Sequence, residues 1–365
     1  MSETEQKKQL MRGTDAIAEA AVKAGCRYFF GYPITPQNEL PEYMSRRMEE
    51  VGGVFLQSES ELSAINMVLG VSVTGKRAMT SSSSPGISLK QEGISFLAAC
   101  ELPAVVVNIM RGGPGLGNIA PSQGDYFQAT RGGGHGDYRT IVLAPATVQE
   151  LADLTFEAFD LADIYRNPVI ILADGMMGQM MEPVVFNQKS RHKLPEKNYI
   201  LTGAKGRRSR FIRSLILDTD LMEEHNWRLY RKYQRIEKNE VRYDTFNLKG
   251  AEMAIIAYGT AARIAKGAVK RCQEKNMRVG LIRPISLWPF PMKFIGEQTE
   301  QIRHFLVFEM NMGQMIEDVR LAVSGRAAVS LYGRPGGVIP TPAELFRAVS
   351  RIYIKLMKEN EKKME

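Results

Sequence analysis

The feature that most constrains this chain is a regular exchange of helix-like and strand-like segments with little between them. Arg12 to Gly25 offers Thr14 or Asp15 as an N-cap, then small apolar residues, and closes on glycine, which predicts a helix. Arg27 to Pro33 reads as a short aromatic strand stopped by glycine and proline, and Pro41 to Glu50 as a second helix. Val54–Leu56, Ala78–Thr80, Pro103–Ile109 and Pro168–Gly175 follow as strands, with helices expected at Glu59–Leu69, Ile87–Ala99 and Val148–Leu161. Such alternation predicts a parallel sheet covered by helices, the doubly wound α/β class, whose ligands sit beyond the strand C-termini. The pattern restarts at Ala251–Gly259, Val279–Pro284 and Phe305–Glu309. We therefore expect two doubly wound α/β domains, 1–186 and 247–365, joined by a basic linker and helical segment at 187–246. The tail from Ile352 to Glu365 reads as a Lys/Glu-rich helix.

Composition narrows the function classes. At 365 residues the chain can bury two cores, and 44% hydrophobic with 24% charged residues excludes disorder. No apolar run approaches the roughly 18 to 20 residues that span a bilayer, and the polar start Met1–Leu10 is unlike a secretory signal, so a cytoplasmic protein with no membrane role is expected. The three cysteines, Cys26, Cys100 and Cys272, are too far apart to hold an iron–sulfur cluster. His135, His192, His225 and His304 lack the spacing of a zinc site, so no metal is expected on this chain. Residues 189–243 carry 15 Lys and Arg against 7 Asp and Glu, a difference of +8 that equals the net charge of the whole chain. So local an excess suits a solvated linker, phosphate groups or an acidic partner subunit better than nucleic acid.

Two near-motifs fail on order. Gly70–Arg77 resembles a phosphate-binding loop, but Arg77 stands where Ser or Thr is needed, and the segment ends a helix instead of opening one. Arg111–Asn118 follows a strand as a dinucleotide fingerprint would, yet no helix pattern opens after it and Pro114 interrupts the turn. It and Arg131–Asp137 are instead read as glycine loops lying where an open sheet places its ligand. Thr80–Gly86 ends a strand and opens a helix, so Ser81 to Ser84 present hydroxyls and free backbone N–H groups suited to an anion or polar edge. Capping would explain one serine but not four.

Four runs together, Gly31-Tyr32-Pro33-Ile34-Thr35-Pro36, Gln57-Ser58-Glu59, Thr80–Gly86 with Gln91-Glu92-Gly93, and Gly133–Tyr138, resemble the α subunit of 2-oxoacid:ferredoxin oxidoreductases. The resemblance extends nearly end to end, since Gly250–Pro291 and Phe308–Gln314 are similar to the transketolase-C-like domain of those subunits. Its details are most similar to the branched-chain (3-methyl-2-oxobutanoate) enzymes, with the 2-oxoglutarate enzymes second. It implies a thiamine-diphosphate pyrimidine-binding domain followed by a transketolase-C-like one.

In that family a glutamate after a strand hydrogen-bonds the cofactor's aminopyrimidine, and the resemblance places Glu59 there. The chemistry wants a buried carboxyl that donates a proton to the ring nitrogen and favours the imino tautomer, which then removes the thiazolium C2 proton. Read locally, Glu59 is a helix-start glutamate with Ser58 as cap. Glu61 is expected to face away. The resemblance further implies that Thr35 donates to the 2-oxoacid carboxylate, that Arg111 pairs with it, that His135 lines the same pocket, and that Ser83 and Ser84 bind cofactor.

Diphosphate and magnesium binding in this class needs a Gly-Asp-Gly motif followed by paired asparagines, which Ala173-Asp174-Gly175 imitates only in part. The resemblance thus implies a β subunit holding diphosphate and Mg, iron–sulfur and γ-type subunits, ferredoxin as acceptor and coenzyme A as co-substrate. Arg207, Arg208 and Arg210 are candidates for the coenzyme A phosphates. Two other readings stay open: a non-catalytic assembly subunit docking through 189–243, and a nucleotide-binding oxidoreductase working alone.

Overall fold

The computed structural model describes residues 8–190 and 193–364; of the residues named above, Met1 to Lys7, Arg191, His192 and Glu365 lie outside the described residues. The first half runs β1 (Gln9–Arg12), α1 (Gly13–Lys23), β2 (Tyr28–Gly31), α2 (Glu39–Glu50), β3 (Val54–Gln57), α3 (Glu61–Ser72), β4 (Ala78–Ser82), α4 (Ser84–Ala99), β5 (Ala104–Met110), α5 (Tyr126–Arg131), β6 (Ile141–Leu143), α6 (Val148–Tyr165), β7 (Pro168–Asp174), α7 (Gly175–Gln179) and β8 (Met181–Val184). The second runs α8 (Thr219–Asn239), β9 (Tyr243–Phe246), β10 (Met253–Ile256), α9 (Gly259–Glu274), β11 (Val279–Pro284), β12 (Ser286–Trp288), α10 (Met292–Glu297), β13 (His304–Glu309), α11 (Met315–Val323), β14 (Ala328–Gly333) and α12 (Pro342–Met364).

Seven strands form the larger sheet in the order β12-β6-β7-β5-β4-β2-β3, parallel apart from β12. Its central strands read as continuous apolar runs because helices cover both faces. Val105, Val107 and Ile109 of β5 enter a core with Ile17 of α1, Met44 of α2 and Leu151 of α6. Val106 and Met110 face the opposite core with Ile65 of α3 and Leu97 of α4. The smaller sheet, β14-β13-β10-β11-β9, is parallel except for β9, and its α9 face closes with α12 into a separate core. Its other face, through Ile256, Tyr258, Val307 and Met315, is continuous with the α3–α4 core, so the two sheets share one apolar interior.

The structure departs from the sequence reading in several places. Helix α1 is preceded by Arg12, and neither Thr14 nor Asp15 caps it, because β1 pairs with β8 up to Arg12 and leaves no room for a capping turn. Helix α3 starts at Glu61, with the Ser60 hydroxyl accepting from the Ser63 N–H at 3.2 Å. The closing helix begins ten residues ahead of Ile352, at Pro342. Nor do the two halves separate along the sequence: β12 returns to the first sheet antiparallel to β6, while Leu229, Tyr233 and Ile236 of α8 pack into the α1–α6 core.

Arg77, which spoils the phosphate-loop match, has a structural task. Its Nη2 donates to Asp160 at 2.6 Å and its Nε to Asp163 at 2.9 Å, both carboxylates being nearly inaccessible on α6, and Lys197 reaches Asp163 at 2.6 Å. Much of the basic segment is spent likewise, Arg228 and Lys232 on Glu101 and Arg242 on Glu157 and Glu240. Removing Arg77 leaves two buried carboxylates short of a partner, a kind of change that costs about 3 kcal/mol or more. Urea unfolding of Arg77→Ala should show that loss, and Arg77→Lys should recover only part of it because an ammonium cannot serve both acids in planar geometry.

Candidate active site

The strand order reverses at β2: the chain goes first to β3 on one side and then to β4 on the other. In an open α/β sheet such a reversal leaves a crevice beyond the strand C-termini, because the loops on either side diverge. Here those loops are Tyr32–Asn38 after β2 and Ser83 after β4, with the first turns of α3 and α4 beside them. Buried Gln37 ties the two together, accepting a hydrogen bond from the Ser81 hydroxyl at 2.5 Å and donating to the Tyr32 carbonyl at 3.4 Å.

Ser84, at the start of α4, couples the serine run to the glycine loop. Its hydroxyl donates to Asp125 at 2.6 Å and accepts from the Arg111 backbone N–H at 3.0 Å, while Asn108 donates to the same Asp125 oxygen at 2.9 Å. Burial pushes the Asp125 carboxyl up, against the pull of the Ser84 and Asn108 donors. The Arg111 side chain then reaches across, donating to the Thr35 carbonyl at 2.9 Å and the Leu116 carbonyl at 3.0 Å. Among the described residues Arg111 makes no ion pair, so its charge stays uncompensated at the crevice mouth. Thr35 is exposed beside it, its hydroxyl 3.5 Å from the Asn38 amide. Ser82 and Ser83 carry buried hydroxyls without a hydrogen-bond partner among the described residues.

Of the sequence candidates, Thr35, Arg111, Ser83 and Ser84 are thus brought together. His135 is not drawn in by any contact. Its loop is exposed and pinned to the middle of α4, where Gly133 N–H donates to the Gln91 side chain at 2.9 Å, about 10 Å along the helix from Ser84. The two glutamates do diverge, but opposite to expectation. Glu59 is exposed and accepts from the Ser63 hydroxyl at 3.3 Å. Glu61 turns inward and is only 6% exposed, because it opens α3 on the side that lies against α4. Its carboxylate approaches Gly86, where a β-carbon would collide with both Glu61 Oε1 and Ser82 Oγ. Glycine at position 86 thus lets the Glu61 carboxylate and the Ser82 hydroxyl both come up against the first turn of α4, with the buried Ser83 hydroxyl next in the chain. That arrangement fits the polar edge of a bound ring.

Sequence reasoning also missed Gln123 and Lys90. Gln123 knots the glycine loop to the second sheet: its backbone N–H donates to the Met310 carbonyl at 3.0 Å, its side-chain oxygen accepts from Met310 N–H at 3.1 Å, and its amide donates to the Tyr258 carbonyl at 3.0 Å. Lys90 is fully buried, in the stripe Ile87, Lys90, Ile94, Leu97. Its i, i+3, i+7 spacing was a legible signal, a charge set in an apolar helix face.

Asp174, of the imitated Gly-Asp-Gly, is sealed in. It accepts from the backbone of Met176 and Met177 at 3.0 and 3.1 Å and from the Thr260 hydroxyl of α9 at 2.9 Å, and burial pushes its carboxyl up. All of its visible hydrogen bonds are intramolecular, capping α7 and docking the second domain.

Residues 19–243 match the family described as pyruvate flavodoxin/ferredoxin oxidoreductase, thiamine diphosphate-binding, and residues 251–345 match pyruvate:ferredoxin oxidoreductase core domain II. The chain is 50% identical to ketoisovalerate oxidoreductase subunit VorB of Methanothermobacter thermautotrophicus, over 90% of this chain and 93% of that one. It is 39% identical to 2-oxoglutarate synthase subunit KorA of Methanocaldococcus jannaschii, over 94% and 99%. A solved 2-oxoglutarate:ferredoxin oxidoreductase from Magnetococcus marinus, with 2-oxoglutarate, coenzyme A and succinyl-CoA bound, superposes with a TM-score of 0.84 at 24% identity, covering 95% of this chain and 66% of that one, a likeness of fold.

Proposed function

Because the chain belongs to the pyruvate flavodoxin/ferredoxin oxidoreductase family and is a subunit of a 2-oxoacid:ferredoxin oxidoreductase, we propose that it supplies the pyrimidine-side half of a thiamine diphosphate site. The complex would convert a branched-chain 2-oxoacid to its acyl-CoA and pass the electrons to ferredoxin. The observation that carries this reading is that the loops and helix starts at the reversal of the sheet carry a buried carboxylate and, among the described residues, two buried hydroxyls without a partner and a guanidinium without an ion pair. Thiamine diphosphate, when bound, supplies the carbon nucleophile that attacks the 2-oxo group and accepts the electrons left by decarboxylation.

The residues divide the remaining work. Ser82 and Ser83 offer hydrogen bonds to the pyrimidine edge, and Ser84 holds Arg111 in place through the backbone N–H. Arg111 and Thr35 bind and orient the substrate carboxylate. Two carboxyls compete to hold a proton at the pyrimidine nitrogen. Glu59 is the sequence candidate, and as an exposed group it needs a partner surface to cover it. Placement favours Glu61, which turns inward beside Ser82 and the start of α4, whereas Glu59 faces solvent. In the assembled complex Glu61→Gln should slow deuterium exchange at C2 of bound thiamine diphosphate by roughly 100-fold, the scale of a lost acid–base group, with Glu59→Gln changing it less than about tenfold. The reverse order would return the role to Glu59. Normal exchange and turnover in both variants, with normal assembly, would leave the chain an assembly subunit.

Substrate class follows from charge. Among the described residues gathered at the crevice, Arg111 is the cation without an acid, which suits a monocarboxylate such as 3-methyl-2-oxobutanoate; 2-oxoglutarate would bring a second carboxylate. The 50% identical relative being named a ketoisovalerate enzyme agrees. Assayed against a panel of 2-oxoacids, the complex should prefer branched-chain substrates, and Arg111→Met should raise KM for all of them by roughly 10- to 100-fold, the worth of a charge-assisted contact.

Diphosphate and Mg would sit on a β subunit, a division supported by the sealed Asp174. Clusters would sit on iron–sulfur and γ-type subunits, since Cys26 and Cys272 are buried in different cores and Cys100 is half-buried. Arg207, Arg208 and Arg210 make no ion pair among the described residues, and Arg207 and Arg210 each give an N–H to a nearby carbonyl. Replacing the three by Gln should raise KM for coenzyme A while leaving KM for the 2-oxoacid unchanged. An unaltered KM for coenzyme A would remove them from its site.

A further inference from the structure

Lys90 has no part in the chemistry assigned above, yet it lies directly behind the reactive crevice. Helix α4 carries it fully buried between β4 and the first turn of α3. Its Nζ donates to Thr80 Oγ1 at 3.0 Å and to the main-chain carbonyl of Glu61 at 3.2 Å. One ammonium thus fastens the strand before the serine run to the residue that aims the carboxylate. A buried lysine is expensive unless paired, and a leucine or methionine would fill the stripe between Ile87 and Ile94 without that expense.

We propose that Lys90 is a positioning residue for the active site: it anchors the first turn of α3 through the Glu61 carbonyl and acts on the cofactor only through the charge it presents to the Glu61 carboxylate. The inference rests on the assignment of Glu61 above. Among the described residues, Glu61 is the charged group whose field opposes the effect of burial on Lys90. From the elements packed around it, β4 and β5 bring no ionisable side chain, Glu92 on α4 itself faces solvent, and Asp174 at the end of β7 is engaged by Thr260 and the α7 backbone. Burial brings the Lys90 ammonium down to about 7, against the opposing pull of Glu61. Below that pH the ammonium presents a positive charge to the Glu61 carboxylate; above it the lysine is neutral and still holds the carbonyl, so that charge is withdrawn as pH rises through neutrality.

Two measurements test this. In the full chain without cofactor, lysine labelled with carbon-13 at Cε reports the Lys90 titration by NMR, assigned by the signal missing from Lys90→Met or Lys90→Arg, whichever folds. The midpoint should lie near neutral pH and move lower in Glu61→Gln, where the anion favouring the ammonium is gone; an unmoved midpoint overturns the coupling. In the assembled complex, Lys90→Met should slow C2 deuterium exchange of bound thiamine diphosphate roughly tenfold and flatten its pH profile, with no further loss in the Glu61→Gln background. Normal exchange in Lys90→Met, or an equal loss in both backgrounds, overturns the proposal. Normal exchange in Glu61→Gln alone instead sinks the Glu61 assignment, so the two failures read differently. Should Lys90→Met not fold, Thr80→Val decides: it removes one acceptor at nearly constant volume and must lower the Lys90 midpoint, and no change refutes the anchor.

Discussion

The crevice depends on the knot between Gln123 and Met310. A glycine-rich loop has almost no side chains with which to hold itself, so its shape must be imposed from outside. Gln123 does this from a fully buried position, exchanging hydrogen bonds with Met310 in both directions and reaching the Tyr258 carbonyl. Asn311 adds a donor to the Gln123 carbonyl at 2.7 Å, and Asn118 reaches the Gly336 carbonyl at 3.0 Å. Each is a modest net contribution, but leaving a buried group of Gln123 or Asn311 unpaired would cost more than the bond itself contributes. The second domain therefore serves as the wall against which the Arg111 loop is set.

Met310 and Asn311 are themselves fixed by Glu309. Its buried carboxylate accepts from the backbone N–H groups of Met315 at 2.8 Å and Ile316 at 3.0 Å, and from the Asn311 amide at 3.0 Å. A carboxylate at the first turn of a helix satisfies donors that have no partner within the helix and meets the positive end of its dipole. Burial raises this carboxyl while those donors oppose the rise. The run Phe308–Gln314 so has a mechanical reason: each polar residue in it either caps α11 or clasps Gln123 or Gly124.

Much of the fold was legible because parallel strands buried on both faces announce themselves as unbroken apolar runs, as β5 and β7 do. Strands β1, β6, β8, β9, β12 and β14 were not, being short or edge pieces whose pairing is decided by distant chain. At the site, Thr35, Ser84 and Arg111 were named with the help of the family resemblance, and the structure sets them side by side because their loops follow parallel strands, which share an edge. His135 belongs to such a loop too, but Gln91 and Tyr138 hold that loop against α4, a tertiary choice invisible in a run of glycines. The orientations of Glu59 and Glu61 were read the wrong way round for a subtler reason: the helix was expected to open at Glu59, but it opens two residues later, at Glu61, which leaves Glu59 outside the helix and turns Glu61 onto the face against α4. Lys90 was readable from its stripe, had every helix face been tested for a charge out of place.

Strand β12 carries a last consequence. By lying against β6 it covers one margin of the larger sheet with chain that follows most of the smaller one, and α8 crosses back to the same core before the smaller sheet begins. The molecule is laced, and no single cut parts it into two self-sufficient pieces: severing the chain between the halves would expose the β6 edge and strip apolar cover from α1 and α6. For a protein whose relatives assemble from several chains, lacing of this kind makes the subunit, and not the domain, the smallest unit that can be exchanged or inherited alone.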